Sequence, residues 1–354
     1  MLKTPDPILT QALDQALRYG PQYSGSTGLR LSTHLPMVLL ALRRLGGDEQ
    51  ALQRQLNWAE KRLELRLLAE QPSLVPSDPL PEPPLGQDMP ACRAYFAARL
   101  AQQSPLSVLR HDLPRLLAAP EATAFHGLIR LAYAWESGHK PELAEALAHW
   151  CSSFDPLGPP WVKPAEVDVA GAKSAPESLR ETLLALRADT RLAMQPLKDT
   201  TIMTDMAIAH AMPGFAVYVG RPHLSLEALA EASLAVYLGS RAFTALHLVT
   251  GLHAARVLLQ AVSFDETSEA GQTVLRALWR AWLAAYVSIG RPEPAWERVH
   301  QGQAEEAHWD RVIPALMSSP NEHDIKLADA TREEWRYRGW PGYALCLRQD
   351  GAGA

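Results

Sequence analysis

Residues Phe243–Gln260, FTALHLVTGLHAARVLLQ, decide the fold class. Apolar residues occupy nearly every turn, and before Arg256 the polar side chains are Thr244, His247, Thr250 and His253. A helix apolar on almost every side belongs in the interior of a helical protein. The two histidines within it need partners, because a buried polar ring without one costs free energy. Each can bond a backbone carbonyl, or it can serve a site. Three other segments also set one histidine in apolar surroundings near a helix, which gives the second reading weight.

Outward from that helix, the chain reads as helix almost throughout. Ala and Leu dominate, and alternating β-branched runs are missing. The periodicity predicts helices at Pro7–Arg18, Thr33–Leu45, Asp48–Glu70, Ala91–Gln102, Ser104–Leu117, Ala122–Glu136 and Pro141–Cys151. It continues with Glu177–Arg191, Thr201–Ala211, Leu224–Leu238, Ala270–Ile289, Glu305–Met317 and Asn321–Tyr337. A Gly/Pro/Ser turn, YGPQYSGSTG, follows the first helix. Two proline-rich stretches, Gln71–Pro90 and Phe154–Pro176, read as long loops, since proline removes a donor and clashes with the preceding turn. Together these features predict an all-α protein: one large multi-helical domain spanning 1–354 with long proline-rich loops. No fixed-period repeat is evident.

Composition excludes several classes. The net charge of −5 and the lack of a Lys/Arg block argue against nucleic acid or an anionic membrane as the main partner. MLKTPDPILT has no apolar signal core, and no stretch of about 18 uncharged apolar residues is present to span a membrane. Cys92, Cys151 and Cys346 show neither metal nor disulfide spacing and read as free thiols, so a reducing cytoplasm is expected. GxGxxG, P-loop, GxSxG, HExxH and CxxC signatures are all missing. Nothing specifies an oligomeric state.

Four histidines stand out by context: His34, in the first turn of a helix behind Ser32 or Thr33; His126; His247; and His323. Lys326 follows His323 at i+3, so the two can address one point from a helix face. Two readings are open for Lys326. One is a solvated lysine paired with Glu322, Asp324 or Asp329, the usual fate of this residue type. The other is an uncharged amine that can act as a nucleophile or take up carbon dioxide to give a carbamate, an anionic oxygen ligand. His323 is equally open between a solvated residue and a ligand. Imidazoles suit iron, zinc and copper, and an added oxygen donor shifts the preference towards redox-active iron. His111, His139, His149, His210, His223, His300 and His308 lie in polar, turn or ordinary helix contexts and read as structural or solvated.

STHLPMVLLAL, AFHGLIRLAYAWE, LHLVTGLHAARVLL and EHDIKL, in that order, resemble the questin oxidase-like family over nearly the whole chain. Family members open anthraquinone-type rings by oxygen insertion and have been described as NADPH-dependent Baeyer–Villiger oxidases. The family includes a non-haem iron form held by four histidines and a carboxylated lysine. The resemblance therefore implies His34, His126, His247, His323 and Lys326 as metal ligands and catalytic centre, with Fe(II), dioxygen as co-substrate and NADPH as a reductant. His253 is the alternative to His247. Six helical positions rotate the chain by about 600°, leaving the two rings about 120° apart, so one helix does not aim both at one metal. The family pattern favours His247, which leaves His253, Thr250 and Asp324 as residues that orient ligands or line the pocket. Three readings follow: a metal-dependent oxygenase acting on an aromatic, quinone-like or polyketide-like compound, an NADPH-dependent oxidase without metal, and a non-catalytic helical scaffold.

Overall fold

The computed structural model describes residues 6–24, 30–61, 82–158 and 178–347. In chain order the helices are α1 (Pro7–Ala16), α2 (Leu35–Arg44), α3 (Glu49–Lys61), α4 (Met89–Gln102), α5 (Pro105–Leu116), α6 (His126–Ser137), α7 (Lys140–Ser152) and α8 (Leu179–Ala188). They continue with α9 (Ile202–His210), α10 (Phe215–Val219), α11 (Leu226–Ser240), α12 (Phe243–Ala261), α13 (Glu269–Ser288), α14 (Glu297–His300), α15 (Glu306–Leu316) and α16 (Glu322–Arg338). The caps are those that helix chemistry favours. Asp6, Asp88 and Ser104 accept first-turn N–H groups with proline at the helix start, and Ser178 with Glu181 forms a capping box.

At the centre, α12 is buried at every position from Ala245 to Leu259. It packs on α6 and α16, and α2 packs on the same two helices. α2, α6, α12 and α16 thus close a ring. α11 and α13 cover α12, α7 covers α6, and α4 covers α7. One continuous apolar core runs through these layers from Leu9 to Cys346, so the all-α single-domain expectation holds. Buried ionic bonds fix the ring. Arg44 of α2 reaches Glu136 of α6 and, at 3.1 Å, Asp329 of α16, which also accepts from the Tyr133 hydroxyl of α6 at 2.9 Å. Gly127 lets α6 approach α7, because a Cβ there would sit 2.7 Å from the Trp150 ring.

Three local expectations need correction. The turn after α1 contains a hairpin, β1 (Gln22–Ser24) with β2 (Arg30–Ser32), pairing Tyr23 with Leu31. Strands of three residues are too short to show alternation. The expected loop Gln71–Pro90 ends early, because α4 starts at Met89 and takes Pro90 in its first turn, where no N–H is needed. Residues 62–81 and 159–177, where the rest of that loop, the end of the third helix and most of the second loop fall, lie outside the described residues. The largest correction concerns Ala122–Glu136. α6 begins only at His126, behind three consecutive left-handed residues, Thr123 (φ 53°), Ala124 (φ 56°) and Phe125 (φ 66°). Each costs about 1–2 kcal/mol in a residue with a Cβ, so packing must impose this turn.

All three cysteines are buried and free. No helix among the described residues is long and apolar enough to cross a membrane.

Candidate metal centre

The ring of four helices brings the four singled-out histidines together at one end. His34 stands at the N-cap position of α2 without a side-chain capping bond, His126 opens α6, His247 stands in the first turns of α12, and His323 is the second residue of α16. Four helix N-termini therefore surround one point, and their aligned peptide dipoles give it a positive potential.

The rings interlock. His34 stacks on His126 at 4.6 Å between centroids and meets His323 edge-on at 4.5 Å. His247 lies 5.1 Å from His126 and 5.4 Å from His323. One ring nitrogen each from His34, His126 and His323 fall within 4.8 Å of one another, the spread a shared metal ion requires.

Hydrogen bonds settle the tautomers. His34 Nδ1 lies 2.9 Å from Glu322 Oε2, His126 Nδ1 2.5 Å from the Thr123 carbonyl, and His247 Nδ1 3.0 Å from the Phe243 carbonyl. These oxygens only accept, so each Nδ1 carries a proton, and burial keeps His126 and His247 neutral with a lone pair on Nε2. His34 Nε2 and His126 Nε2 then face each other at 2.7 Å. His247 Nε2 is buried with no hydrogen-bond partner. An orphaned acceptor is costly in an interior unless a cation sits against it, so the donor set fits a metal ion.

Lys326 is 1% exposed, which removes the solvated-lysine reading. Burial pushes its amine down to about 7, against the opposing charge of Glu322. His126, His247 and His323 are neutral for related reasons. Burial, then the charges of His34, Lys326 and His247, hold His126 well below its usual range, and burial with the Lys326 charge holds His247 at about 3. His323 is pushed far down by burial, then by Lys326 and the other three histidines. Neutral imidazole and neutral amine are the forms that bind metal ions.

The remaining expected residues lie apart from the cluster. His253 pairs with Glu334 at 2.9 Å, in a buried group with Arg256 and Arg338. Burial raises Glu334, but the His253 hydrogen bond and the neighbouring charges outweigh it and hold the carboxyl at about 2. The Thr250 hydroxyl donates to the Leu246 carbonyl, and Asp324 accepts from Asn321, so neither orients a ring. That work falls to Glu322 and to the carbonyls of Thr123 and Phe243, which sequence reading missed. Glu322 carried a faint signal, four residues before Lys326 on the same face; backbone carbonyls carry none. His139 caps α7, while His111 and His300 pair with Asp112 and Glu231.

A cavity of about 840 Å³ opens onto His34, His126, His247 and His323. Its walls include Leu31 of the hairpin, Met89 of α4, Thr123 and Ala124 of the left-handed turn, Ile202 of α9 and Phe243. This size and mixed lining suit a small organic molecule.

No curated protein matches the chain. A family model described as questin oxidase-like matches residues 31–331, from β2 through the histidine helices into α16. The chain therefore belongs to the questin oxidase-like family, which implies an oxidoreductase of the oxygenase type.

Proposed function

We propose that His34, His126, His247 and His323, with Lys326 as a carbamate, hold one iron(II) ion. The protein is then a non-haem iron oxygenase that cleaves an aromatic, quinone-like or polyketide-like small molecule by Baeyer–Villiger-type oxygen insertion. The observation that carries this reading is the 2.7 Å approach of His34 Nε2 to His126 Nε2, with His247 and His323 closing round the same point. Neighbouring nitrogens on a metal with imidazole bonds of about 2.0–2.1 Å lie about 3 Å apart. The unpartnered His247 Nε2 points to the same conclusion.

Lys326 supplies the oxygen donor. Its amine, held at about 7, is substantially neutral at physiological pH. The amine lone pair attacks carbon dioxide, a proton leaves, and a carbamate anion results. Four helix N-termini favour that anion over an ammonium. Glu322 keeps the His34 proton on Nδ1, and the apolar part of the cavity wall, Leu31, Met89, Ile202 and Phe243, shields the bound substrate from water. Iron, when bound, supplies the one-electron chemistry that lets dioxygen react with a closed-shell organic molecule. Overall, ketone, dioxygen, two electrons and two protons give ester and water, with a reductant such as NADPH supplying the electron pair from solution.

The test is anaerobic reconstitution of chelator-treated protein with a ferrous salt, followed by metal analysis and oxygen uptake with a hydroxyanthraquinone. A single bound iron and iron-dependent uptake are expected. NADPH oxidation with product formation in iron-free protein would establish the metal-free oxidase instead. Neither metal nor turnover would leave a helical scaffold.

A further inference from the structure

The exposed large apolar side chains among the described residues are scattered, but Phe243 and Leu31 both line the cavity before the histidines. Phe243 is 54% exposed. Its ring packs edge-on against His323 at 4.7 Å and His247 at 4.9 Å between centroids. One side of the ring is thus fixed by two of the histidines, and uncovered surface is left to the cavity. Uncovered apolar area in a concave site marks the place where a ligand lies. Charge narrows the ligand further. Apart from the histidines, the charged side chains among the described lining residues are Asp88 and Asp155. Before iron is bound, a carboxylate or phosphate on the ligand meets no Lys or Arg among these lining residues and faces two carboxylates.

We propose that Phe243 is the platform on which an uncharged, planar aromatic substrate lies, beside His247 and His323; this rests on the oxygenase reading above. The ring sits at the start of α12, and its backbone carbonyl holds His247 in its tautomer. One residue therefore sets both the ligand nitrogen and the substrate plane. Changing the side chain leaves the carbonyl in place, so the two roles can be separated.

Binding of a dihydroxyanthraquinone to the metal-free protein, followed by quenching of protein fluorescence, tests the platform without iron or turnover. Phe243→Ala is expected to weaken binding about tenfold, the loss of one aromatic contact with its buried area. Phe243→Leu should lose less and Phe243→Trp should retain affinity, with wild-type iron content in all three after reconstitution. The carboxylated analogue of the probe should bind at least about tenfold more weakly than the parent, since two nearby carboxylates oppose it. Unchanged probe affinity in Phe243→Ala overturns the proposal. So does loss of iron without loss of probe binding, which would make Phe243 a brace for the histidines. Tighter binding of the carboxylated analogue overturns the assignment of an uncharged substrate. If wild-type protein binds no iron yet shows Phe243-dependent probe binding, the oxygenase reading falls and the platform stands.

Discussion

Replacing Lys326 by methionine should stabilise the metal-free protein while abolishing iron binding. Lys326 is among the largest fully buried side chains, and burial lowers its amine from 10.5 to about 7. The unfolded chain therefore holds an extra proton between about pH 7 and pH 10.5. Stability rises with pH across that window and is lowest below it. Each pH unit between the two values is worth about 1.4 kcal/mol, about 5 kcal/mol in all, of which about 4 kcal/mol is still unfavourable at pH 7. Methionine has a similar unbranched shape and no charge to desolvate. Lys326→Met should thus gain up to about 4 kcal/mol at pH 7, a rise in Tm of about 5 °C or more for a chain of this size. The gain should shrink towards zero near pH 10. Differential scanning calorimetry of chelator-treated, carbon dioxide-depleted wild type and variant at both pH values provides the assay. A variant less stable than wild type at pH 7, or a gain that does not change with pH, would refute the buried-amine account. Such a trade of stability for function is common at active sites.

Other substitutions separate ligands from supports. His34→Ala, His126→Ala, His247→Ala and His323→Ala should each lower iron affinity by more than about tenfold, as read by metal analysis. His253→Ala should keep its iron and lose about 2–3 kcal/mol in denaturant unfolding, because Glu334 loses a buried partner; the reverse pattern within α12 would move the ligand assignment to His253. Glu322→Ala should weaken iron binding about 10–100-fold by releasing the His34 ring. Ala124→Gly should raise the denaturant midpoint by the equivalent of about 0.5–1 kcal/mol, since glycine adopts a φ of 56° without penalty; a lower midpoint would show that the turn is not strained.

The helical class was legible because α12 and its neighbours carry long uninterrupted periodicity, and the histidines were legible because each sits alone in apolar sequence. Lys326 was harder to read. Residue type favours the surface, and only the ring of helices reveals that its face of α16 turns inward. The choice of Asp324 over Glu322 failed because both lie in the first turn of α16, and a difference of two positions decides which carboxylate reaches His34. Thr123-Ala124-Phe125 contains no glycine or asparagine, so no local signal announces a left-handed turn there. Its cause is tertiary: Phe125 is buried against Gly251 of α12, and the turn leaves the Thr123 carbonyl on the His126 ring. The hairpin was hidden for a similar reason, as its strands are shorter than one alternation pattern.

Anomalous scattering at the iron edge, from crystals grown after anaerobic ferrous reconstitution in bicarbonate, tests the metal centre most directly. The account predicts a single peak at bonding distance from His34, His126 and His323 and from His247 Nε2, with Lys326 extended by a carbamate towards it. A peak bonded to His253 instead, or a fully reconstituted crystal with no peak among these four rings, would contradict it.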